Sequence, residues 1–258
     1  MSICLNLIFA YTMKKIIPYL LLAFVAFNAC KKSSETFETA SIEDYSPLVV
    51  GKFISYKLDS LVYVNFGTAS ETHSYQVKYE VDAAITDNQG RPAYRIIRYI
   101  RKTAANQWVS DNTILATPTN NGLEVTENNM RFIKLKLPIR DLYSWKGNSF
   151  IDTYSINSEV KYLDDWDYTY DSVNVAQTIG SFSLDSTIKV EQRNEVIGNP
   201  ADANSYSEIN IGVEKYAKGI GLVYRRFFHN EYQPPTPGQG GRFVTGSYGI
   251  TLTMIDHN

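Results

Sequence analysis

The sequence predicts an all-β protein: a single antiparallel domain, built as a strongly curved sheet or a partly open β-barrel. Three observations lead there. After residue 48 the dominant period is two, with an apolar and a polar face in each segment, the pattern of antiparallel sheets wet on one side. Clusters of Gly, Asn, Asp and Pro separate the segments and favour turns. Beyond the first thirty residues no stretch sustains an amphipathic pattern over three helical turns, and residues 141–147 offer a single turn at most.

The chain opens with a targeting segment. Met13-Lys14-Lys15 is a short cationic start, Ile16 to Phe27 is an uncharged, mostly apolar run of 12 residues, and Asn28-Ala29 precede Cys30. A bilayer-spanning helix needs about 20 apolar residues, so the run reads as a secretory signal, with synthesis starting at Met13. Phe27-Asn28-Ala29-Cys30 resembles a relaxed bacterial lipobox of the kind found in Bacteroidota lipoproteins. That resemblance implies cleavage before Cys30, lipid attachment at its thiol and stable anchoring through several acyl chains. The expected organisation is therefore a signal peptide over 1–29, a lipidated tether over 30–47 and an antiparallel β domain over 48–258. Removing 29 of the 258 residues leaves 229 and discards Lys14 and Lys15 but no acidic residue, taking the formal charge from -2 to -4. Cys4 is lost and Cys30 is modified, so the domain holds no disulfide and must be stable through its core.

Within the domain, strands are expected to begin near residues 51, 61, 73, 93, 107, 122, 130, 166, 183, 207, 219 and 242. The clearest is 72–86, with Tyr75, Val77, Tyr79, Val81 and Ile85 on one face and Gln76, Lys78, Glu80 and Asp82 on the other. Asp87 to Pro92 turns the chain into a second strand with Tyr94, Ile96 and Ile100 on one side. The same alternation assigns Ile54, Tyr56 and Leu58 to one face, then Ile209, Ile211 and Val213, then Ile220, Leu222, Tyr224 and Phe228. It ends with Val244, Tyr248, Ile250, Leu252 and Met254. No composition break divides the domain, and closure of the sheet would remove exposed edges.

Composition narrows the function. With 25 basic and 27 acidic residues the chain has no global positive field for nucleic acid. His73, His229 and His257 lie far apart without metal-ligand spacing, so no metal ligand is nominated. No Gly-x-Ser-x-Gly, phosphate loop or dinucleotide fingerprint occurs, so no catalytic residue and no cofactor is nominated. Trp166, with Tyr162, Tyr168 and Tyr170, forms an aromatic row opposite Asp165, Asp167 and Asp171. These four rings are the candidate ligand-binding residues, as a stacking platform, against the alternative of an amphipathic strand with its aromatics in the core. The aspartate face offers oxygen ligands for a hard cation but lacks the EF-hand pattern. Tyr232 to Gly241 joins two strands as a Pro- and Gly-rich hairpin tip.

Arg131 to Ile139, Ser144-Trp145-Lys146-Gly147-Asn148, Leu184 to Ile188, Glu214 to Tyr224 and the ending Leu252 to Asn258 resemble an uncharacterised family of Bacteroidota envelope lipoproteins. The Tyr216-Ala217-Lys218-Gly219-Ile220-Gly221-Leu222-Val223 stretch is its most specific part. The resemblance implies an outer-membrane, lipid-anchored protein facing the periplasm or the cell surface, and brings no catalytic residue, cofactor or substrate. Gly219 and Gly221 are expected to let a ring such as Trp145 approach the backbone.

Three functions follow as expectations. The first is a noncatalytic envelope protein whose β domain binds a hydrophobic small molecule or a partner protein. A glycan-binding surface component comes second, and an envelope hydrolase using a carboxylate pair third.

Overall fold

Turn chemistry and strand bulges together explain the architecture. The computed structural model describes residues 40–258; the signal segment, Cys30 and most of the tether lie outside the described residues. Among these residues thirteen strands form one antiparallel sheet. They are β1 (Phe53–Val64), β2 (Ala69–Thr86), β3 (Pro92–Arg101), β4 (Val109–Thr119), β5 (Gly122–Glu127), β6 (Met130–Lys136) and β7 (Ser144–Lys146). Then follow β8 (Asp167–Ile179), β9 (Phe182–Gly198), β10 (Ser207–Ala217), β11 (Gly221–Gln233), β12 (Arg242–Phe243) and β13 (Tyr248–His257). Apart from the two-residue β12, which pairs only with β11, and the β6–β7 junction, consecutive strands pair with one another, and β1 pairs with β13. The result is an up-and-down, nearly closed barrel with almost no helix.

Tight loops produce this meander. Asn128 and Asn129, both in the left-handed region at φ 51° and 61°, form a two-residue turn between β5 and β6. Asparagine tolerates that backbone, whose twist matches a hairpin. Bulges at Val81/Ala83, Arg98/Tyr99, Leu123/Glu124 and Gly212/Val213 bend the strands and increase twist, which a long sheet needs to curl on itself.

The seam falls in the middle of the chain, between β6 and β7. Ile133 N donates to the Gly147 carbonyl at 2.6 Å, and Trp145 Nε1 donates to the Ile133 carbonyl at 2.7 Å. Tyr170 reaches across from β8, its hydroxyl donating to the Lys136 carbonyl at 2.8 Å and accepting from Lys136 N at 3.0 Å. One aromatic hydroxyl thus satisfies a donor and an acceptor that no strand neighbour reaches.

Both ends of the barrel are covered. At one end a single-turn helix, α1 (Ile42–Tyr45), is capped by Ser41 and buries Ile42 and Tyr45. Tyr45 Oη lies 3.0 Å from Ser186 Oγ, and Gly219 N donates to the Asp44 carbonyl at 2.7 Å. Packing therefore begins by residue 42, inside the segment expected to be tether. At the other end the loop between β7 and β8 brings Leu163 and Trp166 into the main core. A second cluster forms where the β8–β9 hairpin reaches β13, with Ile179, Leu184, Val223 and Met254 packed together.

Several expectations change. Strands expected near 51 and 61 are one strand, β1, and residues 144–146 form β7 rather than a helical turn. Gly219 has open space around it and Gly221 approaches Ile54. Close ring contacts occur instead at Gly147 against Tyr168, at Gly212 against Trp166 and at Gly249 against Phe228. The Tyr232–Gly241 segment is a hairpin tip with a Thr236–Gln239 bridge.

The inner face carries Tyr56, Val77 and Met254, while Lys57, Gln76 and Thr253 point outward. A barrel that spans a bilayer has its apolar side out, and along β1, β2 and β13 these positions have the opposite arrangement.

Candidate functional site

One belt of charge crosses the largely apolar barrel interior. Glu214 on β10 faces Arg225 on β11 in register, and Lys134 reaches them from β6 across the interior. Lys134 Nζ donates to Glu214 Oε1 at 2.6 Å, and Tyr216 Oη donates to Glu214 Oε2 at 2.7 Å. Arg225 donates through Nη1 to Glu127 Oε2 at 2.9 Å, whereas its Nε lies 3.6 Å from Glu214, too far for a hydrogen bond. Arg98 adds a third cation from β3 and is held by Asp111 at 2.7 Å.

Burial and pairing oppose each other in this belt. Burial pushes the Glu214 carboxyl up, but Lys134 and Arg225 outweigh it and hold the group below the ordinary glutamate range. Glu127 behaves alike: Arg225, Lys134 and Arg98 overcome its desolvation. Although burial works against the charge, Glu127 and Glu214 hold the Arg225 guanidinium firmly protonated. Burial and repulsion from Arg225 lower Lys134, with Glu214 only partly compensating. A carboxylate pair for glycoside hydrolysis needs one member with a raised pKa. The two carboxyls of this belt are both shifted the other way, towards permanent ionisation.

Two chambers flank the belt, and Glu127, Lys134 and Arg225 line both. The first, of about 130 Å³, lies towards α1. Its walls are Ile54, Val81, Ile96, Ile114, Ala116 and Leu123, its floor is the belt, and Pro47 and Leu48 lie over it. The second, of about 180 Å³, lies towards the β7–β8 loop, with Phe132, Tyr162, Tyr168, Phe227 and Tyr248 on its walls.

The aromatic row divides among several roles. Trp166 and Tyr168 are 1% exposed and Tyr170 is 0% exposed, so these rings form core and seam and offer no open stacking platform for a glycan. Period-two alternation carries them inward while Asp167 and Asp171 stay outside. Tyr162 is half-buried and stacks on His229, with centroids 3.8 Å apart at 9°. Of the four, Tyr162 and Tyr168 meet at the second chamber, Trp166 packs beside Tyr162 and Phe227, and Tyr170 bridges the seam.

Two of the three aspartates opposite them are engaged by lysines, Asp171 by Lys189 at 2.8 Å and Asp167 by Lys146 at 3.6 Å, while the Asp165 backbone carbonyl accepts from Arg193 Nη1 at 2.9 Å. Among the described residues no three His, Cys, Asp or Glu side chains converge as a metal-ligand group. His229 Nδ1 lies 2.8 Å from Asn210 Oδ1, and burial lowers its pKa.

The belt itself was not identified from sequence. On β10 the inward residues are Asn210, Gly212, Glu214 and Tyr216, so Ile209, Ile211 and Val213 occupy the outer face, opposite to expectation. On β11 the bulge beside Lys215/Tyr216 inserts Val223 and switches the pattern. Beyond it Arg225, Phe227 and His229 point inward, while Tyr224 and Phe228 do not share the face of Leu222. One signal was available: Arg98 sits between Ile96 and Ile100 on the face assigned as apolar.

Compared with family models, curated proteins and solved structures, the chain gives no match.

Proposed function

We propose that this chain is a lipid-anchored cell-envelope protein, held at the outer membrane through Cys30, whose barrel interior binds a small hydrophobic molecule without transforming it. The observation that carries the binding role is an apolar chamber over a fixed ionic floor. Apolar walls favour an apolar group, and the belt supplies a polar end with immobile charges. Size narrows the ligand class. An apolar cavity near 150 Å³ accommodates benzene, so about 130 Å³ suits a ring or a short branched chain, not a long acyl chain. The anchoring role rests on the charged, apolar, small-residue order before Cys30 and on the envelope-lipoprotein resemblance.

Organic extraction of the protein purified from its native envelope, followed by mass spectrometry, tests the binding role. A small apolar compound at about one per chain, absent from an Ala116→Phe variant that fills the chamber, is the expected result. An extract with no such compound, or the same compound from the filled variant, would contradict it. Globomycin treatment tests the anchor: an unprocessed precursor should accumulate, and Cys30→Ala should release the protein from the membrane. A processed Cys30→Ala protein fractionating like wild type would refute lipidation.

A further inference from the structure

The charges around the second chamber are already matched. Arg98 is held by Asp111, Lys134 by Glu214 and Arg225 by Glu127, so this wall carries no surplus of either sign. One polar group is left over. Gln192 lines the chamber, its side chain is 3% exposed, and its Nε2 has no acceptor. A buried donor without an acceptor costs free energy, and native cores keep few of them. Local backbone geometry puts it there. Glu191 and Arg193 on β9 face the adjacent Val213 and Gly212 on β10, which leaves Gln192 as the extra residue of a bulge, a device that re-aims a side chain. A Cβ built on Gly212 would lie 2.9 Å from Gln192 Oε1, so the oxygen end of the amide rests against β10 and the nitrogen end turns away from it. The rest of the wall is aromatic, formed by Phe132, Tyr168, Phe227 and Tyr248. Tyr248 is 36% exposed, so the chamber reaches solvent beside it.

We infer that the second chamber is a binding site for a small neutral aromatic carbonyl compound. Charge balance, hydrogen-bond sense and volume select the class together. A carboxylate or an ammonium would enter a wall whose ions are all paired and would find no counter-charge, so the ligand is neutral. The unmatched group is a donor, so the ligand accepts. A carbonyl accepts without bringing a donor of its own, whereas a hydroxyl brings a proton that needs a further acceptor. About 180 Å³ is somewhat more than the cavity that holds benzene, which suits one ring with a substituent of two or three heavy atoms. The ring lies against the aromatic walls, where offset and edge contacts are favourable. Gln192 does not line the apolar first chamber, and neither site requires the other to be occupied.

Acetophenone is the probe. Its matched controls are α-methylstyrene, which keeps the shape without the acceptor, benzoate, which adds the charge, and acetone, which lacks the ring. In ¹⁵N-labelled protein, acetophenone should shift the Gln192 side-chain amide saturably, and each control should bind at least about tenfold more weakly. Gln192→Leu should weaken acetophenone by about tenfold. Four outcomes would overturn the inference: no saturable shift, meaning that water alone meets the donor; α-methylstyrene or acetone binding as well as the probe; benzoate binding as well or better; or unchanged affinity in Gln192→Leu. The wild-type titrations decide the matter even if that variant fails to fold. Because the readout is Gln192, failure here is distinct from failure of the apolar chamber to take up a ligand.

Discussion

Replacing Glu214 by Gln tests whether the charged belt is a fixed structural unit. The side chain is about 1% exposed and its carboxylate meets Lys134 at 2.6 Å, Tyr216 at 2.7 Å and Arg225 at 3.6 Å. At an effective dielectric of 20 the Lys134 attraction alone amounts to about 6 kcal/mol. Desolvation of both ions offsets much of that, so the pair itself contributes little net stability, but breaking it strands Lys134 uncompensated. Glu214→Gln should therefore lose about 3–5 kcal/mol in urea denaturation at neutral pH. Lys134→Met combined with Glu214→Gln should recover most of the loss, because the stranded cation is gone. A single-variant loss below about 1 kcal/mol, or a double variant as unstable as the single, would refute the reasoning. The same belt sets an acid limit. Glu127 and Glu214 have folded pKa values below their unfolded ones, so their stabilisation is present above the ordinary glutamate value of 4.5. It is lost as pH falls through the depressed folded values, and unfolding curves should show stability declining below that point. Stability unchanged across this acid range would contradict the assigned pairing.

Two further substitutions probe the closure of the barrel. Tyr170→Phe leaves Lys136 N and its carbonyl unpartnered at the seam, and should cost about 1–3 kcal/mol with faster hydrogen exchange at Lys136; unchanged exchange there would mean the seam is held elsewhere. Gly147→Ala drives a methyl into the Tyr168 ring, and overpacking of about 1–3 kcal/mol should appear as a lowered Tm, while a neutral result would show that the ring has room to move.

Fold class was readable because most strands obey one rule. In β2, Val77 and Val81 face inward and their neighbours outward, and the Asp87–Pro92 turn needs no tertiary information to be recognised. The near-closed barrel required more, because closure depends on Tyr170 and Trp145 meeting backbone groups of β6 far away in sequence. The candidate site was least legible, and for a physical reason. A buried carboxylate on Glu214 is tolerable because Lys134, 80 positions away in sequence, pairs with it alongside Arg225 and Tyr216, so local hydropathy alone assigns its face to solvent. Bulges hid the rest: one extra residue on β11 turns Arg225 inward and breaks the alternation that had paired Leu222 with Tyr224. The aromatic row was located correctly as an alternating segment, while its burial depended on what the loop and seam packed against it.

The central claim is that the barrel encloses an apolar room above a charged floor, open to a small hydrophobic ligand. Diffraction from crystals of the domain under xenon pressure tests this directly, since dry apolar cavities of this size take up xenon. The account predicts xenon among Ile54, Val81, Ile96, Ile114 and Leu123 in wild type, and none there in Ala116→Phe. Xenon confined to the outer surface, or ordered water filling that space, would contradict it.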